Sequence, residues 1–182
     1  MPRLRRVLLV RVFSGSLFMR PHAPPWKGSP VRAELVALYA QIDARLGGWT
    51  CACSRLDRPR EPTCCQFAVT GLEPHATPVE LAEVRHAMRA AGMGLRDARR
   101  LPVAGRGECP LLSRDGRCRI YASRPFGCRT FFCPQAEGPP GISRRDLRPT
   151  VNDIGRRIAD LSARFDPVDP LPRPMVRALS IA

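Results

Sequence analysis

Eight cysteines dominate the chemistry open to this 182-residue sequence. Four lie early, as Cys51-x-Cys53 and then, ten residues on, the adjacent pair Cys64 and Cys65. Four lie later, as Cys109-x8-Cys118-x9-Cys128-x4-Cys133. A thiolate is both a nucleophile and a soft metal ligand. Four of them close a tetrahedral zinc site or hold an iron–sulfur cluster, so all eight are candidate metal ligands. The loops within each group are short, so closing each one costs little chain entropy. Neighbouring side chains of an extended chain point to opposite faces. Cys64 and Cys65 therefore serve two centres, or only one of them is a ligand. The plainer alternative for the whole set is buried free thiols behaving as small hydrophobes.

A tetrathiolate zinc centre is formally a dianion, and a buried anion is costly unless hydrogen-bonded or paired. Arg106, Arg114, Arg117, Arg119, Arg124 and Arg129 crowd the second cysteine group, with Tyr121, Phe126, Phe131 and Phe132 among them. The arginines could offset the charge and the aromatics exclude water. Arg124 and Arg129 are the candidate contacts to the bound cofactor. Taken singly, each of these residues reads equally well as solvated surface or ordinary core.

The compartment bears on the same question. The cysteine content is below that of small disulfide scaffolds, and a domain of this length needs no stapling. Val7–Val10 begins an apolar run after basic residues, but Arg11 breaks it and no small-residue cleavage site follows, so no secretory signal is evident. Met19 is a second candidate for the start of translation. A cytoplasmic address is expected, where clustered thiols mean metal ligation or redox chemistry. No run is long and apolar enough to cross a bilayer, so no membrane partner is expected.

Other chemistries find little footing. There is no Gly-x-Ser-x-Gly elbow, no phosphate-cradling loop and no His-Glu-x-x-His pair. The histidines are His22, His75 and His86, none beside a cysteine group in sequence. Acid–base work would fall to carboxylates such as Glu108 or Asp115, and Asp115 is more simply a turn residue. The absence of Cys-x-x-Cys disfavours a thiol–disulfide redox pair. Thirty basic against sixteen acidic residues give a net charge of +14, which fits a polyanion partner. However, Lys27 is the only lysine and the arginines are scattered over the chain rather than clustered. Nucleic acid is therefore a partner the sequence permits without favouring.

The elements that must position the cysteines are mostly helical. Ser29 and Pro30 open a first helix, with Val31, Leu35, Leu38, Tyr39, Ile42 and Leu46 on one face and Gly47-Gly48 as its stop. Thr77 and Glu80 form a capping box for a second, whose stripe is Leu81, Val84, Met88 and Ala91. His86 lies about 200° round that helix from Val84 and is expected to face solvent. Arg114-Asp-Gly116 is the turn of a short hairpin between Leu111-Leu112 and Cys118–Tyr121. A third helix is predicted from a Thr150/Asp153 capping box, with Val151, Ile154, Ile158, Leu161 and Phe165 buried. The predicted fold is a small, mainly α, irregular domain: helices around a cysteine-rich, loop-dominated metal-binding centre with at most a short hairpin. Residues 1–28 read as a poorly ordered lead and 29–166 as the single domain. Residues 167–182 form a Pro-rich, irregular tail with room for a final helical turn.

From Cys109 to Cys133 the sequence reads CPLLSRDGRCRIYASRPFGCRTFFC. This stretch closely resembles the YkgJ-type cysteine-cluster family, described as a zinc- or iron-chelating domain. The resemblance covers roughly residues 50–135. It rests on the cysteine spacing, the Ile120-Tyr121 and Arg124-Pro125 pairs and the Cys128-Arg129 dipeptide. The family's first motif is Cys-x2-Cys-x2-Cys-Cys. Here Cys51 and Cys53 depart from that spacing, while the Cys64-Cys65 pair is kept. The resemblance implies a metal-binding protein carrying zinc or iron, with iron–sulfur chemistry included. An iron–sulfur oxidoreductase or a methylation-linked accessory enzyme is the alternative implied by family members. A zinc-ribbon-like nucleic-acid module is the other alternative. No catalytic residue and no protein partner is assigned.

Overall fold

The computed structural model describes residues 26–51, 65, 67, 71, 73–93, 109–113, 117–131 and 136–180. Within these the chain is mainly helical. Helix α1 spans Pro30–Leu46, α2 Pro78–Ala90, α3 Phe126–Thr130, α4 Arg144–Phe165 and α5 Met175–Ser180. Two antiparallel strand pairs tie distant segments together: β1 (Thr50–Cys51) with β3 (Ala136–Glu137), and β2 (His75–Ala76) with β4 (Arg173–Pro174). No described helix is long and apolar enough to cross a membrane.

Helix α1 runs over the predicted residues and buries Leu35, Leu38, Tyr39, Ile42 and Leu46. Its entry differs in detail from the expectation. Ser29 makes no side-chain cap bond; Pro30, with its φ already helical and no N–H to satisfy, opens the helix instead. Helix α2 carries the predicted box, with Thr77 and Glu80 bonded reciprocally. His86 on this helix is half-buried rather than facing solvent, and Ala91 is exposed.

Helix α4 corrects the prediction. It begins at Arg144, capped by a Ser143/Asp146 box, and carries Pro149, Thr150 and Asp153 inside it. Two boxes of the same type occur a few residues apart, and the earlier one takes the helix. Pro149 removes one main-chain donor. The longer helix gains Leu147, which is buried with Ile154, Ile158 and Leu161. Phe165, placed in the stripe, is 39% exposed and meets Trp26 edge-to-face, with ring centroids 5.5 Å apart.

Two apolar clusters flank α2. One joins α1, α4 and Val79. The other joins the opposite side of α2 (Leu81, Val84, Met88) to Cys109, Leu111 and Ile120, and to Met175 and Leu179 of α5. The Pro-rich tail therefore completes a core. Trp26, at the end of the expected lead, is likewise pinned, its indole N–H donating to Glu83 at 2.8 Å.

Candidate functional site

Four cysteines, Cys65, Cys109, Cys118 and Cys128, line one cavity of about 200 Å³. They come from both sequence groups, and separate pieces of local structure bring them together. The amide N–H of Cys109 donates to the carbonyl of Cys65 at 2.7 Å, which ties the first group to the second. After Pro110 the chain turns back, with Leu112 N–H reaching Cys109 O at 3.0 Å. The expected hairpin is a single antiparallel bridge, Leu112 to Cys118, reinforced by Arg119 N–H on Leu111 O at 2.9 Å. Its turn, Arg114–Gly116, lies outside the described residues.

Cys128 is placed by α3. Pro125 pushes Arg124 into extended backbone, which ends the 3₁₀ turn at Tyr121–Ser123. The carbonyl of Pro125 then accepts from the N–H groups of Cys128 and Arg129 at 2.9 and 3.1 Å. Gly127 lets this turn lie on β2, because an added Cβ would stand 3.2 Å from the His75 carbonyl oxygen. The cavity walls between the thiols are largely apolar, with Phe67, Leu111, Ile120, Phe131 and Met175 among them.

Cys109 is buried, and Cys65, Cys118 and Cys128 are half-buried. Burial, with Cys65 and Cys118 facing it, pushes the Cys128 thiol up to about 12. Ionising it would place an anion in a poorly solvated wall beside two other sulfurs. A cation among the thiols reverses that balance. Among the described residues, no three His, Cys, Asp or Glu side chains stand in a group that could hold a metal ion. The donor chemistry fits a soft metal, and the cavity gives four thiols a common space into which to converge. Cys53, Cys64 and Cys133 lie outside the described residues, as does the side chain of Cys51, whose backbone pairs with Ala136 in β1.

The two candidate cofactor contacts part company. Arg124 lines the cavity, its guanidinium 3.8 Å from the centre of the Tyr121 ring; its Nη2 also stands 3.8 Å from an Asp43 oxygen, and its buried Nε meets no acceptor. Arg129 faces α1, stacked 4.0 Å over the Tyr39 ring and donating to Asp43 and to the carbonyls of Ala122 and Arg124. Arg117 and Arg119 are exposed, and Arg106 and Arg114 fall outside the described residues. Sequence reasoning missed the buried carboxylate of Glu83, and it read Glu80 as a cap alone. The signal available was two acids one turn apart, interleaved with Val79, Leu81 and Val84 on a helix that lies between two apolar clusters. No protein-family model, curated protein or solved structure matches the chain.

Proposed function

We propose that this chain is a metal-binding cysteine-cluster protein, holding zinc or iron through the thiolates of Cys65, Cys109, Cys118 and Cys128. The observation that carries the reading is the shared cavity: four thiols from two distant stretches of sequence line the same small space. Soft thiolate donors suit zinc, iron and iron–sulfur clusters. Bound zinc would supply a structural cross-link, and bound iron would supply one-electron chemistry. The chain's own residues bind, shield and balance charge. The thiols give up their protons on binding, so uptake strengthens as pH rises. Phe67, Leu111, Ile120 and Phe131 keep water from the sulfurs, and the Arg124 guanidinium lies in the same wall to offset their negative charge.

The nucleic-acid reading draws no comparable support. Three exposed arginines of α4 are already paired with carboxylates: Arg156 and Arg157 with Asp153, and Arg164 with Glu34 of α1.

The test is elemental analysis of protein purified anaerobically, with its absorption at about 400 nm recorded to separate iron–sulfur from zinc. Stoichiometric zinc or iron is expected, and Cys109→Ser and Cys128→Ser should abolish it. Metal-free protein, or metal content unchanged in both variants, overturns the reading.

A further inference from the structure

Between Cys118 and Cys128 the chain has little regular structure of its own, only the 3₁₀ turn at Tyr121–Ser123 and the start of the five-residue α3. Three charged side chains reach this segment from outside the cavity or from its end. Glu80 is 2% exposed, Glu83 1% and Arg129 4%. Glu80 Oε1 accepts from the main-chain N–H of Phe126 at 2.6 Å and from the Tyr39 hydroxyl at 3.1 Å. Its Oε2 takes the N–H and the hydroxyl of Thr77, both at 2.9 Å. Glu83 Oε1 accepts from the Ser123 hydroxyl at 2.9 Å and from Arg32 at 3.1 Å. Its Oε2 accepts from Arg32 at 2.7 Å and Trp26 at 2.8 Å. From the other side Arg129 donates to the carbonyls of Arg124 and Ala122 while paired with Asp43.

A helix cap does not require this arrangement. Capping α2 needs one Glu80 oxygen, at Thr77, and leaves the other free for solvent. A buried carboxylate is costly unless donors meet its lone pairs. Here each of the two carboxylates has its donors, and each gives one oxygen to the Ser123–Phe126 stretch. That stretch is the connection between two of the four cavity thiols.

We infer that Glu80 and Glu83 are positioning residues for the thiol site: by fixing Ser123 and Phe126 they set where Cys118 and Cys128 stand across the cavity. The inference rests on the metal-binding reading and adds what orients its ligands. Groups that orient ligands from behind change metal affinity about 10–100-fold when removed.

The experiment titrates cobalt(II), under anaerobic conditions, into the full chain and into Ser123→Ala, Ser123→Thr, Glu80→Gln and Ile158→Val. Ser123→Ala removes only the loop-side donor and leaves Glu83 its Arg32 and Trp26 bonds, so the fold should survive, as far-ultraviolet circular dichroism would confirm. Ser123→Ala and Glu80→Gln should bind cobalt about ten-fold or more weakly and shift the thiolate-to-cobalt charge-transfer band. Ser123→Thr, which keeps the hydroxyl, should restore both. Ile158→Val, in the other apolar cluster, should lower the melting temperature and leave affinity and band unchanged. The inference is overturned if Ser123→Ala and Glu80→Gln match the wild type in affinity and spectrum. A metal-free readout separates it from the reading beneath it: the rates at which a thiol reagent modifies Cys118 and Cys128, followed by mass spectrometry. If the wild type takes up no cobalt, the metal reading falls, while rates that rise severalfold in the variants still uphold the positioning role. Unchanged rates in that case remove it as well.

Discussion

The two apolar clusters share helix α2 and are otherwise built on different terms. The cluster of α1 and α4 is made by two long helices whose apolar residues recur along one face, so each residue that packs is followed a turn later by another. The cluster holding the thiols also rests on a helix face, Leu81, Val84 and Met88 of α2 against α5, but its cysteine-bearing segments are held by single contacts. These are one bond from Cys109 to Cys65, one bridge at Leu112, a five-residue helix and two carboxylates reaching across from α2. A long helix that loses one contact keeps the rest. A loop held by a few point contacts does not, and an ion that joined the four thiols would add stability where the chain supplies least. The first cluster should therefore be stable whether or not metal is present, and the second should depend on it.

The largest effect should come from cutting the first cluster. Leu161 is fully buried among α1 and α4. Leu161→Ala should destabilise the protein by about 2–5 kcal/mol, the usual cost of lost transfer energy plus a cavity. Urea unfolding measures it, and the loss should be the same with and without metal. A loss that depends on metal would mean that the two clusters form one cooperative unit.

Metal removal is the complementary cut. A strong chelator should abolish the ligand's contribution, about 2.7 kcal/mol when free metal stands at a hundred times its dissociation constant. Hydrogen exchange should place that loss in residues 109–131 and leave the amides of α1 and α4 protected. A melting temperature that does not respond to the chelator would sink both the comparison and the proposed function.

The same contrast explains what could be read in advance. Helices α1 and α2 follow from local signals, the spacing of Leu35, Leu38 and Ile42 and the box of Thr77 with Glu80. The start of α4 did not, because Ser143/Asp146 and Thr150/Asp153 are the same signal twice, and the burial of Leu147 that the earlier start gains depends on tertiary packing. The Pro-rich tail concealed Met175 and Leu179, whose burial depends on partners far off in the sequence. At the site, the residue types were legible as ligands. Which of them share a cavity was not, since it turns on the Cys109–Cys65 main-chain bond and on the close approach of Gly127 to His75. Arg129 was read by its neighbour Cys128, but its side chain points to Asp43 and Tyr39 on α1. Local pattern reports periodic elements; it carries no information on contacts that no period repeats.

Acid should loosen the bracing between the two regions. Burial pushes the Glu83 carboxyl up, but hydrogen bonds from Arg32, Trp26 and Ser123 outweigh it and hold the group below its ordinary value of 4.5. A carboxyl lowered in this way stabilises the fold fully above that ordinary value, and the stabilisation is lost as pH falls through the lowered one. Melting temperatures measured at falling pH should therefore drop on the acid side of 4.5. Glu83→Gln should be less stable at neutral pH and show a shallower acid slope. An unchanged slope would assign the acid sensitivity to other carboxylates.

The smallest effect expected is on the solvent side of α4, and it sharpens the comparison because the residues are of the same chemical kind. Asp153 meets Arg156 at 3.5 Å and Arg157 at 3.9 Å, with more than half of the Asp153 side chain exposed. Water screens such a pair, and ordering two long side chains costs entropy, so exposed pairs of this spacing contribute about 0.3–0.5 kcal/mol. Asp153→Asn should accordingly shift unfolding by no more than a few tenths of a kcal/mol, and the shift should shrink further in high salt. Glu83, one carboxylate with an arginine partner in the same chain, should lose far more when altered, because the carboxylate itself is 1% exposed and holds three half-buried donors, Arg32, Trp26 and the Ser123 hydroxyl of the loop. If the two substitutions proved equal in cost, the buried carboxylate would contribute no more than an exposed one and the bracing of the thiol loop would lie elsewhere.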